Sequence, residues 1–263
     1  MGFLFKIVNF DLFENILYII KFMKLLFILF LITTFVSSNI IIADEDSENC
    51  SIKNVPTEER VFSNNFSGVF NGKRLEYTAS LKEKILYEKD NPSEPMASFF
   101  YTEYIVDSDK NRPLIFSFNG GPGSASLWLH MGVLGPKVIK VPSDASDDGS
   151  APYKIVDNKL SPLSDADLVF IDPIGTGYSR AIGCHDSEEF WGVSEDPKII
   201  AEFIRRWIND NKRWNSPRYI LGESYGGIRG PLLVSELRSG SITPIEVNGL
   251  LMVAPASDYQ YLV

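Results

Sequence analysis

Arg218-Tyr219-Ile220-Leu221-Gly222-Glu223-Ser224-Tyr225-Gly226-Gly227 is the stretch that decides how the rest of the chain is read. The run from Arg218 to Leu221 has the form of a short strand, and a serine set between Gly222 and Gly226 directly after it has the form of a strained strand-to-helix turn. Such a turn lifts a hydroxyl clear of its sheet. That hydroxyl attacks acyl groups only when a histidine base and an acidic partner can reach it.

Working outward from Ser224, Glu195 to Lys212 carries Ile199, Ile200, Phe203, Ile204, Trp207 and Ile208 at helical spacing with charges between them. It predicts a crossover helix feeding the strand before Ser224. Gly227 to Arg238 predicts a second helix with Pro231 near its start, and Val247 to Ala254 an apolar strand. Upstream, Leu114 to Phe118 and Leu168 to Ile171 are short and almost wholly apolar, which suits central parallel strands buried on both faces. Leu75 to Leu81 and Ser98 to Val106 alternate and read as strands near a sheet edge. Strand, helix, strand, helix, strand is the grammar of an α/β sheet. Counted from Leu75, the strand at Val247 is the sixth.

Asn119-Gly120-Gly121-Pro122-Gly123 follows the strand ending at Phe118, and its glycines let backbone N–H groups approach a ligand. Acyl transfer needs such donors, because negative charge develops on the former carbonyl oxygen. The block Asp172 to Ser179 is also glycine-rich, but it lacks the Gly-Lys-Ser/Thr ending of a phosphate-binding loop. It reads instead as a turn closing the fourth strand over the site.

Three blocks together resemble the serine carboxypeptidase family, α/β-hydrolases that remove C-terminal residues from peptides. They are Asn119-Gly120-Gly121-Pro122-Gly123-Ser124-Ala125-Ser126, Asp172-Pro173-Ile174-Gly175-Thr176-Gly177-Tyr178-Ser179 and Gly222-Glu223-Ser224-Tyr225-Gly226-Gly227, and their order and spacing agree from about Gly72 onward. Trp128-Leu129-His130-Met131-Gly132 is worded more like the bacterial-type branch. The resemblance implies an α/β-hydrolase fold with a mostly parallel sheet. It implies Ser224 as nucleophile, Gly121 and Tyr225 as oxyanion donors, and Asn119, the Gly120 N–H and Glu223 as the group holding the substrate's terminal carboxylate. A carboxylate beside a carboxylate is repelled unless the two share a proton, so that last set favours acidic conditions. Three positions depart from the family's pattern: Ser117 stands for a tryptophan, Ser124 for a cysteine and Val133 for a second carboxylate-binding glutamate. Recognition of a free C-terminus is therefore a weaker implication than acyl chemistry.

The sequence holds two histidines, His130 and His185. The first falls in a helix-like stretch after the glycine loop, where a structural role is expected, and the second in a polar loop beside Cys184, where exposure is expected. In this family's fold the acid and the histidine of the triad follow the serine along the chain. Asp258 is the one aspartate after Ser224 and comes too early to match the family's acid. The triad's aspartate and histidine are thus expected to lie outside this chain. The apolar run Leu250-Leu251-Met252-Val253-Ala254 also reads as a strand that wants a neighbour on each side. The expectation is an α/β-hydrolase fold truncated after about the sixth strand, inactive alone. The alternatives are a catalytically inactive relative that binds a peptide or partner, and an acyltransferase of the same family.

Residues 1–43 form a leader, with a signal peptide expected to start at Met23: Met23-Lys24 precedes a greasy run from Leu25 to Val36 and small residues at Ser37 and Ser38. Export through the secretory pathway follows, with no stable membrane span. Joining the run to Ile16–Ile20 across Lys21 and Lys24 is the membrane-anchored alternative. Residues 44–71 read as an irregular segment and residues 72–263 as the partial catalytic domain. Cys50 and Cys184 could pair in an oxidising compartment or stay as free thiols. Asn49 and Asn65 match the glycosylation acceptor pattern. With two histidines and two cysteines scattered singly, no metal or organic cofactor is expected. A net charge of −9 argues against a nucleic-acid partner and says nothing of the substrate; the resemblance implies a peptide or protein substrate.

Overall fold

The computed structural model describes residues 55–56, 58–108, 111–141, 144, 151–239 and 242–257. The leader, Asn49, Cys50 and Asp258 lie outside the described residues, and so do the expectations placed on them.

Ten strands are described: β1 (Val61–Phe70), β2 (Lys73–Tyr87), β3 (Pro95–Val106), β4 (Leu114–Phe118), β5 (Lys137–Ile139), β6 (Ile155–Asp157), β7 (Asp167–Ile171), β8 (Arg180–Ala181), β9 (Arg218–Glu223) and β10 (Gly249–Val253). Eight of them form one sheet in the order β1-β2-β3-β7-β4-β9-β10, with β8 beside β3. The sheet is antiparallel from β1 through β7 and parallel from β7 through β10. β5 and β6 pair separately as a small hairpin. Two helices cross over the parallel half, α1 (Glu195–Asp210) before β9 and α2 (Gly226–Ser239) after it.

The central strands form because both of their faces are buried. β7 is buried at every position, with Val169 and Ile171 facing the helical side and Leu168 and Phe170 the other. On the helical side α1 lays Ile199, Ile200, Phe203, Ile204, Trp207 and Ile208 against the sheet. Phe203 stands 5.1 Å from the Phe99 ring and 5.0 Å from that of Tyr101. Full burial of each such side chain stabilises by about 1.5–3 kcal/mol, so this one stripe fixes the helix. The polar tip of Trp207 is satisfied too, donating its indole N–H to Glu103 at 2.9 Å.

Buried charge in this frame is paired around Asp167, at the start of β7. Its carboxylate accepts from Arg112 at 3.0 Å, from Arg213 at 2.8 Å and from the Val106 N–H at 3.1 Å. It ties together β3, the approach to β4 and the turn after α1.

Two expectations are corrected. The segment 44–71 reads as irregular, yet Val61–Phe70 is a strand paired along its whole length with β2. Its alternation is blunted because nearly every position is exposed. The turn that makes the hairpin is legible, however: Asn71 (φ 47°) and Gly72 (φ 79°) form a two-residue Asn-Gly connection, the strongest short-range hairpin signal. The strands placed at 75–81 and 98–106 also run longer, to fifteen and twelve residues. Their extensions pair chiefly with each other, Glu83 to Tyr87 against Phe100 back to Pro95, with β8 beside Ala97 and Ser98, a pairing that local periodicity does not reveal.

Candidate active site

β9 delivers Ser224 to the carboxyl edge of the parallel half, and α2 begins two residues later. Ser224 has φ 57°, a left-handed conformation that costs a non-glycine residue energy and persists only where the surroundings impose it. Here they do. The Ser224 N–H donates to the Val253 carbonyl at 2.9 Å, and the Ser224 carbonyl accepts from Gly227 at 2.8 Å and Ala256 at 2.9 Å. The end of β10 therefore clamps the turn from one side. A Cβ at Gly222 would lie 2.5 Å from the Gly226 carbonyl oxygen, so the strand can fold back on the helix only with glycine there.

The loop after β4 reaches the same place. A Cβ at Gly120 would sit 2.4 Å from the Tyr225 nitrogen and 2.5 Å from the Glu223 carbonyl oxygen. Gly120 is thus wedged against the backbone of the serine turn itself. This close approach is a role that reading the loop as a set of donors does not anticipate. Gly121 follows with φ 108°, directing the loop onward through Pro122.

Asn119 is fully buried and bridges three elements. Its side-chain N–H donates to Glu223 Oε2 at 3.1 Å, its Oδ1 accepts from the Leu129 N–H at 3.0 Å, and its carbonyl accepts from Arg229 at 2.7 Å. The Gly120 N–H points at the same Glu223 oxygen, at 3.4 Å. Asn119, Gly120 and Glu223 therefore come together, and Gly120 sets the loop against Ser224 and Tyr225.

Arg229, unremarked in the sequence, is the hub beneath them. It is buried on α2, donates to Asp196 at 2.6 Å and lies 5.2 Å from the ring centres of both Phe118 and Tyr225. Burial pushes the Asp196 carboxyl above its usual range, with Arg229 opposing that rise. The second glycine block, Asp172 to Ser179, closes the site from the side. Asp172 accepts from the Ser126 N–H at 2.7 Å, and burial raises its pKa. Ser179 accepts from the Phe100 N–H at 2.8 Å, pinning the end of that turn to β3.

Neither histidine joins Ser224. The His130 ring stacks on Phe170 at 4.6 Å, shares a 2.6 Å hydrogen bond with the Tyr104 hydroxyl, and is lowered by burial from 6.5 to about 4. It is a packed, neutral side chain. The sequence suggests exposure for His185, but its side chain is only 14% exposed, held 2.8 Å from Glu189 and 3.4 Å from Glu88. The carboxylates just after β2 and in the turn before α1 enclose it.

Cys184 is disulfide-bonded. Asn65 is exposed on β1, its Oδ1 accepting from the Thr78 hydroxyl at 3.0 Å. Among the described residues no group of three His, Cys, Asp or Glu side chains is arranged to hold a metal. No helix among them is long and apolar enough to cross a membrane.

Comparison with known proteins matches the chain to one family. A family model described as serine carboxypeptidase matches residues 77–262. Serine carboxypeptidase-like 9 of Arabidopsis thaliana is 30% identical over 177 residues, which is 64% of this chain and 38% of that protein. Serine carboxypeptidase-like 2 of the same plant is 30% identical over 177 residues, 63% of this chain and 38% of its own length. The crystal structure of a prohormone-processing carboxypeptidase from Saccharomyces cerevisiae aligns with a TM-score of 0.48 at 23% identity, covering 68% of this chain and 38% of that one. The chain spans 38% of the length of these relatives.

Proposed function

Because the chain belongs to the serine carboxypeptidase family, we propose that it carries the nucleophile and substrate-carboxylate half of a site that cleaves peptides from the C-terminus. Ser224 is the nucleophile, and the N–H groups of Gly121 and Tyr225 receive the oxyanion. In the reaction, Ser224 Oγ bonds to the scissile carbonyl carbon while its proton passes to a base. The C–N bond then breaks, the base returns the proton to the leaving amine, and water later releases the acyl group by the reverse steps.

Asn119, the Gly120 N–H and Glu223 hold the terminal carboxylate. The observation that carries this assignment is that the Asn119 amide and the Gly120 N–H converge on one oxygen of Glu223. An incoming carboxylate at that place meets Glu223 and binds when the two share a proton. Binding therefore strengthens as pH falls. Calorimetric titration with N-acetyl-Phe-Leu and with its C-terminal amide tests the assignment. The acid should bind more tightly than the amide, increasingly so as pH falls, and Glu223→Gln should flatten that pH dependence. Equal affinity for acid and amide at every pH overturns it.

The base is not among the two histidines of these 263 residues, since His130 is engaged with Tyr104 and Phe170 and His185 with Glu189. The chain alone is inactive in this account. The same observation favours a second function, peptide binding without turnover. Loss of Leu from N-acetyl-Phe-Leu on prolonged incubation separates the two: sustained release means turnover, and intact bound peptide means binding only. The secretory route remains the proposed destination, supported by the disulfide at Cys184, which suits an oxidising compartment.

A further inference from the structure

β1 is an outer edge of the eight-stranded sheet: among the described residues it pairs with β2 alone. Edge strands in native proteins resist further pairing through charge, proline, a bulge or shortness. β1 has none of these. It runs ten residues, Val-Phe-Ser-Asn-Asn-Phe-Ser-Gly-Val-Phe, without a charged side chain or a proline, and its register against β2 never shifts. Phe62 and Phe66 stand on it in solvent, 61% and 46% exposed.

The direction of its free backbone groups follows from the hairpin. The two-residue Asn71-Gly72 connection makes Phe70 and Lys73 the closing pair, which is hydrogen-bonded in hairpins of this kind. At the other end of the strand the Glu83 N–H donates to the Arg60 carbonyl at 2.8 Å. Stepping by two from either end gives the same result: the even-numbered residues bond β2, and Val61, Ser63, Asn65, Ser67 and Val69 turn their N–H and C=O groups outward. Those five side chains also share one face. The set reads the same in both directions, Val-Ser-Asn-Ser-Val.

We propose that β1 is the contact between two copies of this chain, paired antiparallel about a two-fold axis at Asn65. In that register Val61 lies opposite the partner's Val69, Ser63 opposite the partner's Ser67, and Asn65 opposite its own counterpart. Every outward N–H and C=O of the strand finds a mate, about ten main-chain hydrogen bonds in all. Sliding either strand by two residues leaves Val61 or Val69 with no strand residue opposite. On the other face Phe62 meets the partner's Gly68. A Cβ on Gly68 would lie 2.6 Å from the Phe70 ring of its own strand, so that ring roofs the glycine and Phe62 comes ring to ring against the partner's Phe70. The two Phe66 rings stand diagonally across the axis, within reach of each other. Charge agrees at the ends. Glu58 and Glu59 precede β1, and Lys73 and Arg74 follow its turn, so antiparallel pairing sets the acidic end of each copy beside the basic end of the other. Because the axis is two-fold, the contact closes at a dimer and does not propagate into a filament.

Sedimentation velocity over a range of concentrations tests this on the 263-residue chain, produced without N-glycans so that Asn65 is bare. A dimer that grows with concentration is expected. Asn65→Lys, at an exposed position, sets two like charges against each other on the axis and should weaken dimerisation at least about tenfold. Leu251→Lys, on the opposite edge strand β10, should leave it unchanged. Asn65→Cys should form a disulfide between copies, because hydrogen-bonded opposite residues stand about 5.5 Å apart. Ser63→Cys should not, since its two copies lie about 13 Å apart along the strands. A chain monomeric up to about 1 mM overturns the proposal. So does dimerisation that Asn65→Lys leaves intact or Leu251→Lys removes, or a Ser63→Cys disulfide that forms as readily as the Asn65→Cys one. Urea unfolding at the midpoint of the unmodified chain shows Asn65→Lys to be folded; should it not be, the two cysteine variants decide.

Discussion

Acidification should weaken this fold through His130. The ring is stacked on Phe170, hydrogen-bonded to Tyr104 and lowered by burial from 6.5 to about 4. The unfolded chain takes up a proton near pH 6.5 and the folded chain near pH 4. Between those values the unfolded state binds more protons, so stability falls as pH falls. The contribution is fully present above pH 6.5 and lost on the way down to about 4. One pKa unit corresponds to about 1.4 kcal/mol, which makes the whole window worth about 3 kcal/mol. Against the roughly 5–15 kcal/mol that holds a domain folded, that is a large share. Urea unfolding at about pH 7.5, 6, 5 and 4, run in parallel on the unmodified chain and on His130→Asn, isolates it, because carboxylates elsewhere titrate in both. The stability difference between the two proteins should shrink by about 3 kcal/mol across the series. A difference that stays constant with pH, or an NMR titration placing His130 near its ordinary value of 6.5 in the folded chain, refutes the reasoning.

Two further outcomes follow from packing. Gly120→Ala should destabilise the chain by about 1–3 kcal/mol, as overpacking does, because the new Cβ meets the Tyr225 nitrogen at 2.4 Å; it should also abolish peptide binding, and an alanine variant that binds normally would show the serine turn to be pliable. Phe203→Ala should cost about 3–5 kcal/mol in urea unfolding, since the ring is wholly buried between Phe99 and Tyr101; a loss under about 1 kcal/mol would mean that α1 is not anchored by its apolar stripe.

Much of this architecture is legible in the chain because its signals are local. The apolar runs at Leu114 and Leu168 and the spacing of Ile199 to Ile208 each state their own element, and the three glycine blocks state where strands end. What escapes is what depends on partners far away in sequence. β1 is recognisable as a strand only beside β2, since its own positions are mostly exposed, although Asn71-Gly72 announces the hairpin. The β5–β6 hairpin joins two three-residue strands too short to carry a period.

The site divides the same way. Ser224, Glu223 and the glycine loop announce themselves by motif. Arg229 does not, because its importance lies in reaching Asp196 33 residues and Asn119 110 residues away. Gly120 is legible as a loop glycine but not as a wedge, a distinction made only when the loop meets the turn. His185 shows the reverse error: a polar loop suggests exposure, and Glu189 four residues on, with Glu88 from just past the end of β2, covers the ring.

The central claim is that Ser224 is built as a nucleophile but has no histidine base within these 263 residues. Intact-mass analysis of the purified chain after incubation with a fluorophosphonate tests it most directly, with peptide mapping of any adduct. The account predicts Ser224 essentially unmodified, in a chain that still binds N-acetyl-Phe-Leu. Stoichiometric labelling at Ser224 would contradict it, since the serine would then be activated by groups already present.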